Sequence, residues 1–62
     1  MTLVIYRDCR IEIEKTGKSV NYSIWDDQFL VAFDSVSLPV KAVKADCQSL
    51  VDTYLKDPKA FR

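Results

Sequence analysis

The sequence predicts an α+β domain, a three-stranded antiparallel meander packed on one face by a single C-terminal helix. Three observations carry this. Residues 9–14 and 19–24 alternate apolar with polar side chains, the period of a half-buried strand. Residues 29–33 form a third β-prone run. From Val40 to Tyr54 the apolar residues instead recur at i, i+3 and i+4, which makes one helical stripe.

The first predicted strand, residues 9–14, reads Cys9-Arg10-Ile11-Glu12-Ile13-Glu14, with apolar groups on odd positions and charges on even ones. Lys15-Thr16-Gly17-Lys18 follows, and its glycine is the only one in the chain, at a point where a tight turn needs φ > 0. The second predicted strand covers residues 19–25. Pairing Glu14 with Ser19 sets Ile13 opposite Val20, Ile11 opposite Tyr22 and Cys9 opposite Ile24 on one face. A slip of one residue would oppose apolar to polar groups throughout.

Trp25-Asp26-Asp27-Gln28 reads as the next loop, and the third predicted strand covers residues 29–34. Pairing Ile24 with Phe29 brings Val31 opposite Tyr22 and Phe33 opposite Val20, all on the inner face. Leu30 and Ala32 then fall on the outer face. In this arrangement the second strand is central and the other two are edges.

The helix is predicted over residues 39–56. Pro39 suits a first helical turn, where its missing N–H leaves nothing unsatisfied, and Leu38 is the entry point. The stripe is Val40, Val43, Cys47, Leu50, Val51 and Tyr54, with Lys41, Lys44, Gln48 and Asp52 away from it. Asp57-Pro58 stops the helix, and residues 57–62 read as a tail. An apolar stripe needs an apolar partner, and the inner sheet face supplies one. The predicted core is Cys9, Ile11, Ile13, Val20, Tyr22, Ile24, Phe29, Val31, Phe33, Val43, Cys47, Leu50, Val51 and Tyr54.

Residues 1–62 thus form one domain, since a chain of 62 residues holds no more. Seven aromatics (one Trp, three Tyr, three Phe) and 48% hydrophobic residues exclude a disordered chain. A domain this small buries only about 60% of the surface its unfolded chain exposes, so association with a partner would help it hold together. Nine Lys plus Arg balance nine Asp plus Glu, which argues against a dedicated nucleic-acid or anionic-membrane binder. No apolar run nears the roughly 20 residues of a membrane helix, and residues 1–6 lack a basic n-region, so the expectation is a cytoplasmic protein.

Candidate chemistry is sparse. With no His, the commonest general base and transition-metal ligand is missing. Cys9 and Cys47 both fall at inward positions, and the expectation is two reduced, buried thiols acting as small hydrophobes. Asp26, Asp27 and Asp34 lack the alternation of a Ca²⁺ loop. No catalytic, cofactor or metal site is expected.

The segment Leu3-Val4-Ile5-Tyr6 stands out instead. In the predicted register it overhangs its partner strand, apolar on both faces, with Leu3 and Ile5 sharing the inward parity of Cys9. The expected function is therefore a non-enzymatic interaction module or accessory subunit that self-associates through Leu3, Val4, Ile5 and Tyr6. Trp25 and Leu30 join the contact as outer-face apolar residues. A homodimer or a protein partner is expected. The alternative is a nucleic-acid-associated regulator acting through Arg7, Arg10, Lys41 and Lys44. In element order, three strands and then a helix, the chain resembles integrase N-terminal arms and antitoxins of the HicB type, a likeness that implies fold alone.

Overall fold

Three two-residue turns and one helix account for the path of the chain. The computed structural model describes residues 1–62. Its elements are β1 (Thr2–Tyr6), β2 (Cys9–Thr16), β3 (Ser19–Asp26), β4 (Phe29–Val36) and α1 (Val40–Lys56), followed by a 3₁₀ turn at Pro58–Ala60. The strands form one antiparallel sheet in the order β1-β2-β3-β4. The α+β class and the C-terminal helix are as expected, but the sheet has four strands rather than three.

The fourth strand arises at Arg7-Asp8. Both residues take positive φ, 50° and 67°, the sign pattern of a type I′ hairpin turn. The chain reverses there, and residues 2–6 pair along β2 from Tyr6↔Cys9 to Thr2↔Ile13. The predicted overhang is thus a paired strand. The edges of the sheet are β1 and β4, and β2 is interior.

The other two loops are also shorter than expected. Thr16 pairs with Ser19 around Gly17-Lys18, and Asp26 pairs with Phe29 around Asp27-Gln28. β2 therefore runs two residues further into its turn, to Thr16, and β3 one further, to Asp26. Across β2 and β3 the register moves by two, so Ile11 opposes Ile24 and Ile13 opposes Tyr22. A shift of two preserves the face, which is why alternation places the inner side chains of these strands correctly despite the wrong pairs.

In β4 the shift is two as far as Leu30 and becomes odd beyond it. Trp25 pairs with Leu30 and Ile24 with Ala32, leaving Val31 as the extra residue of a bulge. Beyond it the parity of β4 inverts. Ala32 turns inward and packs against the core, while Phe33 turns outward and is 71% exposed. Both reverse their expected placement.

The core is Cys9, Ile11, Ile13, Val20, Ile24 and Val31 of the sheet with Val43, Cys47, Val51 and Tyr54 of α1. All ten belong to the predicted set. Tyr22, Phe29 and Leu50 are only half-buried at its margin. Pro39 remains extended (φ −60°, ψ 148°), and its carbonyl accepts the Val43 N–H at 3.0 Å, so α1 begins one residue later than predicted. Residues 57–62 are not a free tail. Phe61 packs edge-on to Tyr54 at 5.5 Å, and the Arg62 guanidinium donates to the Tyr54 hydroxyl at 2.8 Å.

Candidate interaction surface

Alternation along each strand sorts the sheet into two faces. The inner face lies under α1. The outer face has no covering layer, and its side chains form rows across the strands. One row is Ile5, Arg10, Trp25 and Leu30; the next is Leu3, Glu12, Ser23 and Phe33; a third is Glu14, Asn21 and Ser35.

The Arg7-Asp8 turn decides which half of β1 joins this face. Since Tyr6 pairs with Cys9 and Val4 with Ile11, Val4 and Tyr6 point inward and pack against the core. Leu3 and Ile5 point outward and are 58% and 66% exposed. This inverts the expected parity of the segment. Of the six residues expected to make contacts, the fold brings Leu3, Ile5, Trp25 and Leu30 to one face and leaves Val4 and Tyr6 on the other.

Tyr6 ties β1 to the helix. Its hydroxyl donates to Asp52 at 3.0 Å, and the Arg7 guanidinium pairs with the same carboxylate at 2.8 Å. Arg7 and Tyr6, by donating to Asp52, hold its carboxyl below the usual carboxylate range. The same bond raises the Tyr6 phenol, because ionisation would set two negative oxygens together.

The middle of the outer face is a polar strip with an internal network. Arg10 pairs with Glu12 at 3.0 Å, and its guanidinium lies 5.5 Å from the centre of the Trp25 ring. The Trp25 indole N–H donates to the Ser23 hydroxyl at 3.3 Å, which in turn donates to Glu12 at 3.3 Å. The indole edge is held by the sheet, and its ring borders an open groove. This groove, of about 590 Å³, is lined by Met1, Glu12, Glu14, Trp25, Leu30 and Phe33 among others. Phe33 and Glu14 are absent from the expected contact residues, and Asp34, opposite Tyr22, has the parity of the inner face. Only the bulge exposes Phe33, and no pattern in the sequence marks the bulge.

The four basic residues of the nucleic-acid reading do not share a face. Arg10 is on the outer sheet face, Arg7 is engaged with Asp52 in the first turn, and Lys41 and Lys44 are exposed on α1 in the opposite layer.

Both cysteines are free and buried. Burial pushes the Cys47 thiol up to about 11 and raises that of Cys9 as well, so both stay protonated at neutral pH. No three of the Cys, Asp and Glu side chains come together in an arrangement that would hold a metal ion. No helix is long and apolar enough to cross a membrane. No protein-family model, curated protein or solved structure matches this chain.

Proposed function

We propose that this protein is a small non-enzymatic interaction module or accessory subunit that self-associates through β1. The observation that carries this reading is the contrast between its two sheet edges. Edge strands are normally guarded against pairing by a bulge, a charge or a proline. β4 has a bulge at Val31 and a charge at Asp34. β1, Thr-Leu-Val-Ile-Tyr, has none of these, and its outward side chains Leu3 and Ile5 are exposed apolar groups.

Two copies of β1 pairing antiparallel about a two-fold axis would satisfy the free backbone edge and join the sheets into one of eight strands. Leu3 and Ile5 of each protomer would then meet near the axis, a self-complementary contact. Backbone pairing alone gives little net stability in water, so burial of these side chains supplies most of the energy.

Sedimentation equilibrium tests this. The wild-type chain is expected to be dimeric at high micromolar concentration, with a Tm that rises with concentration. Leu3→Lys and Ile5→Lys should give folded monomers, because a lysine on the edge opposes strand addition. Phe33→Lys, on the far side of the sheet, should leave the dimer intact. A wild-type chain that is monomeric at that concentration overturns the proposal.

A further inference from the structure

Two guanidiniums in this protein lie over an aromatic ring beside a carboxylate, and they reach those partners by different routes. Arg10 stands on β2, and its partners Glu12 and Trp25 share its sheet face. Arg62 arrives instead on a short strap. α1 stops at Lys56, and Asp57 leaves the helical region (φ −145°, ψ 78°). The 3₁₀ turn at Pro58–Ala60 then brings Phe61 and Arg62 back onto Tyr54.

The groups that receive Arg62 come from three elements. Asp26 ends β3, Phe29 begins β4 and Tyr54 lies in the last turn of α1. The guanidinium carbon is 4.4 Å from the centre of the Phe29 ring and 5.9 Å from that of Tyr54, both within cation–π range. The Tyr54 hydroxyl accepts from Nη2 at 2.8 Å and from Nε at 3.3 Å, and Nη2 reaches Asp26 at 3.4 Å. The same hydroxyl donates to Asp26 at 2.5 Å, which leaves its lone pairs to the guanidinium. Tyr54 is buried, so the core holds the floor of the site, whereas Arg62 is exposed. Asp27 borders the same groove, and no cation pairs with it. The receiving groups are thus fixed and acidic, and their occupant is tethered only through residues 57–61.

We propose that Asp26, Phe29 and Tyr54 form a guanidinium-binding site that Arg62 fills in cis, and that an arginine side chain of a partner docks here by displacing it. A planar, weakly hydrated guanidinium stacks on Phe29 while donating to the Tyr54 hydroxyl and Asp26. A compact, strongly hydrated ammonium cannot do both. The tethered arginine is a competitor, so a partner's arginine meets an open site only in the fraction of molecules whose strap has lifted. The site lies at the β3–β4 turn and is independent of self-pairing through β1.

Ethylguanidinium is the probe, titrated into the full chain at constant ionic strength while the ring protons of Phe29 and Tyr54 are followed by NMR. In Arg62→Ala it should bind saturably with a Kd of about a millimolar, and ethylammonium should leave both rings unmoved. The wild type should show the same shifts at about tenfold higher concentration, because Arg62 competes. Adding Asp26→Asn to Arg62→Ala should weaken binding about tenfold.

Arg62 is exposed, so Arg62→Ala and Arg62→Lys should both fold, each with a Tm lower by roughly 4–8 °C. Ethylguanidinium at about ten times its Kd should bring the Tm of Arg62→Ala back toward that of the wild type. Rings that stay unmoved in Arg62→Ala, or equal binding of ethylammonium, would overturn the site. Wild-type rings unmoved at about a hundred times that Kd would overturn displacement by a partner. An Arg62→Lys chain as stable as the wild type would reduce the contact to charge alone and overturn the choice of guanidinium.

Discussion

Ile24 and Phe33 show how much a side chain's energy depends on which way the backbone turns it. They stand on neighbouring strands, and both are large and apolar. Ile24 is fully buried between the sheet and α1, whereas Phe33 is 71% exposed on the opposite face. Alternation alone places both inside. Truncating Ile24 leaves a cavity among Ile11, Val31 and the helix side chains that the sheet cannot fill. Ile24→Ala is expected to cost about 2–5 kcal/mol, while Phe33→Ala should change stability by no more than about 0.5 kcal/mol. Urea unfolding of the two variants checks this. Equal losses would mean that Phe33 packs inward and that β4 has no bulge.

The turns set the length and number of the strands. Gly17 has φ +61° and is followed by a residue of negative φ, the sign pattern of a type II′ turn, which favours glycine at its first central position. A Cβ added there would meet nothing within 4 Å, so a substitution acts through the backbone alone. Gly17→Ala is expected to destabilise the domain by about 1–2 kcal/mol, the cost of a left-handed conformation for a residue with a side chain. A thermal melt showing no loss would contradict this turn geometry. Asp27 adopts φ +56° at the equivalent point of the β3–β4 turn, and Arg7 and Asp8 do so in the first. Aspartate tolerates that region, but arginine rarely enters it, and so Arg7-Asp8 does not announce a hairpin. The side-chain contacts of Tyr6 and Arg7 with Asp52 are what tie this turn to α1.

At the scale of the whole molecule, a 62-residue domain has little stability to spare, and its ionisable groups tilt that stability with pH. Cys47 is raised by burial from an ordinary 9.0 to about 11. Below pH 9 the thiol is neutral whether the chain is folded or not, and its contribution is fully present. Between pH 9 and 11 only the unfolded chain releases the proton, so stability falls, by at most about 1.4 kcal/mol per pH unit from this group. Tyr6 and Tyr54, each donating to an aspartate, and Tyr22, desolvated by burial, are also raised and act in the same direction from pH 10. Asp52 works on the acid side. Its lowered value stabilises the fold above its ordinary 3.8, and that stabilisation is lost as pH falls through the folded value. Urea midpoints should therefore be flat between pH 6 and about pH 8.5 and decline on both sides, with a shallower alkaline slope in Cys47→Ala. An alkaline limb unchanged in that variant would show that the thiol is not buried.

What the sequence determined by itself was everything that rests on a period. The alternation in residues 9–14 and 19–24 and the 3–4 spacing from Val40 to Tyr54 specify which side chains face inward. Those faces survive a register error of two, so all ten buried residues were legible, along with the class of fold. The tertiary structure alone decided whatever depends on an odd step or an unusual dihedral. The Arg7-Asp8 turn makes β1 a paired strand and sends Leu3 and Ile5 outward, and the bulge at Val31 sends Phe33 after them. Such features come from the backbone fitting one strand to the twist of its neighbour under a helix. Sliding a strand along by one residue then exchanges core for surface. The outer face was legible at Glu12, Glu14, Trp25 and Leu30, but its Phe33 ring comes into view only once the strands are paired.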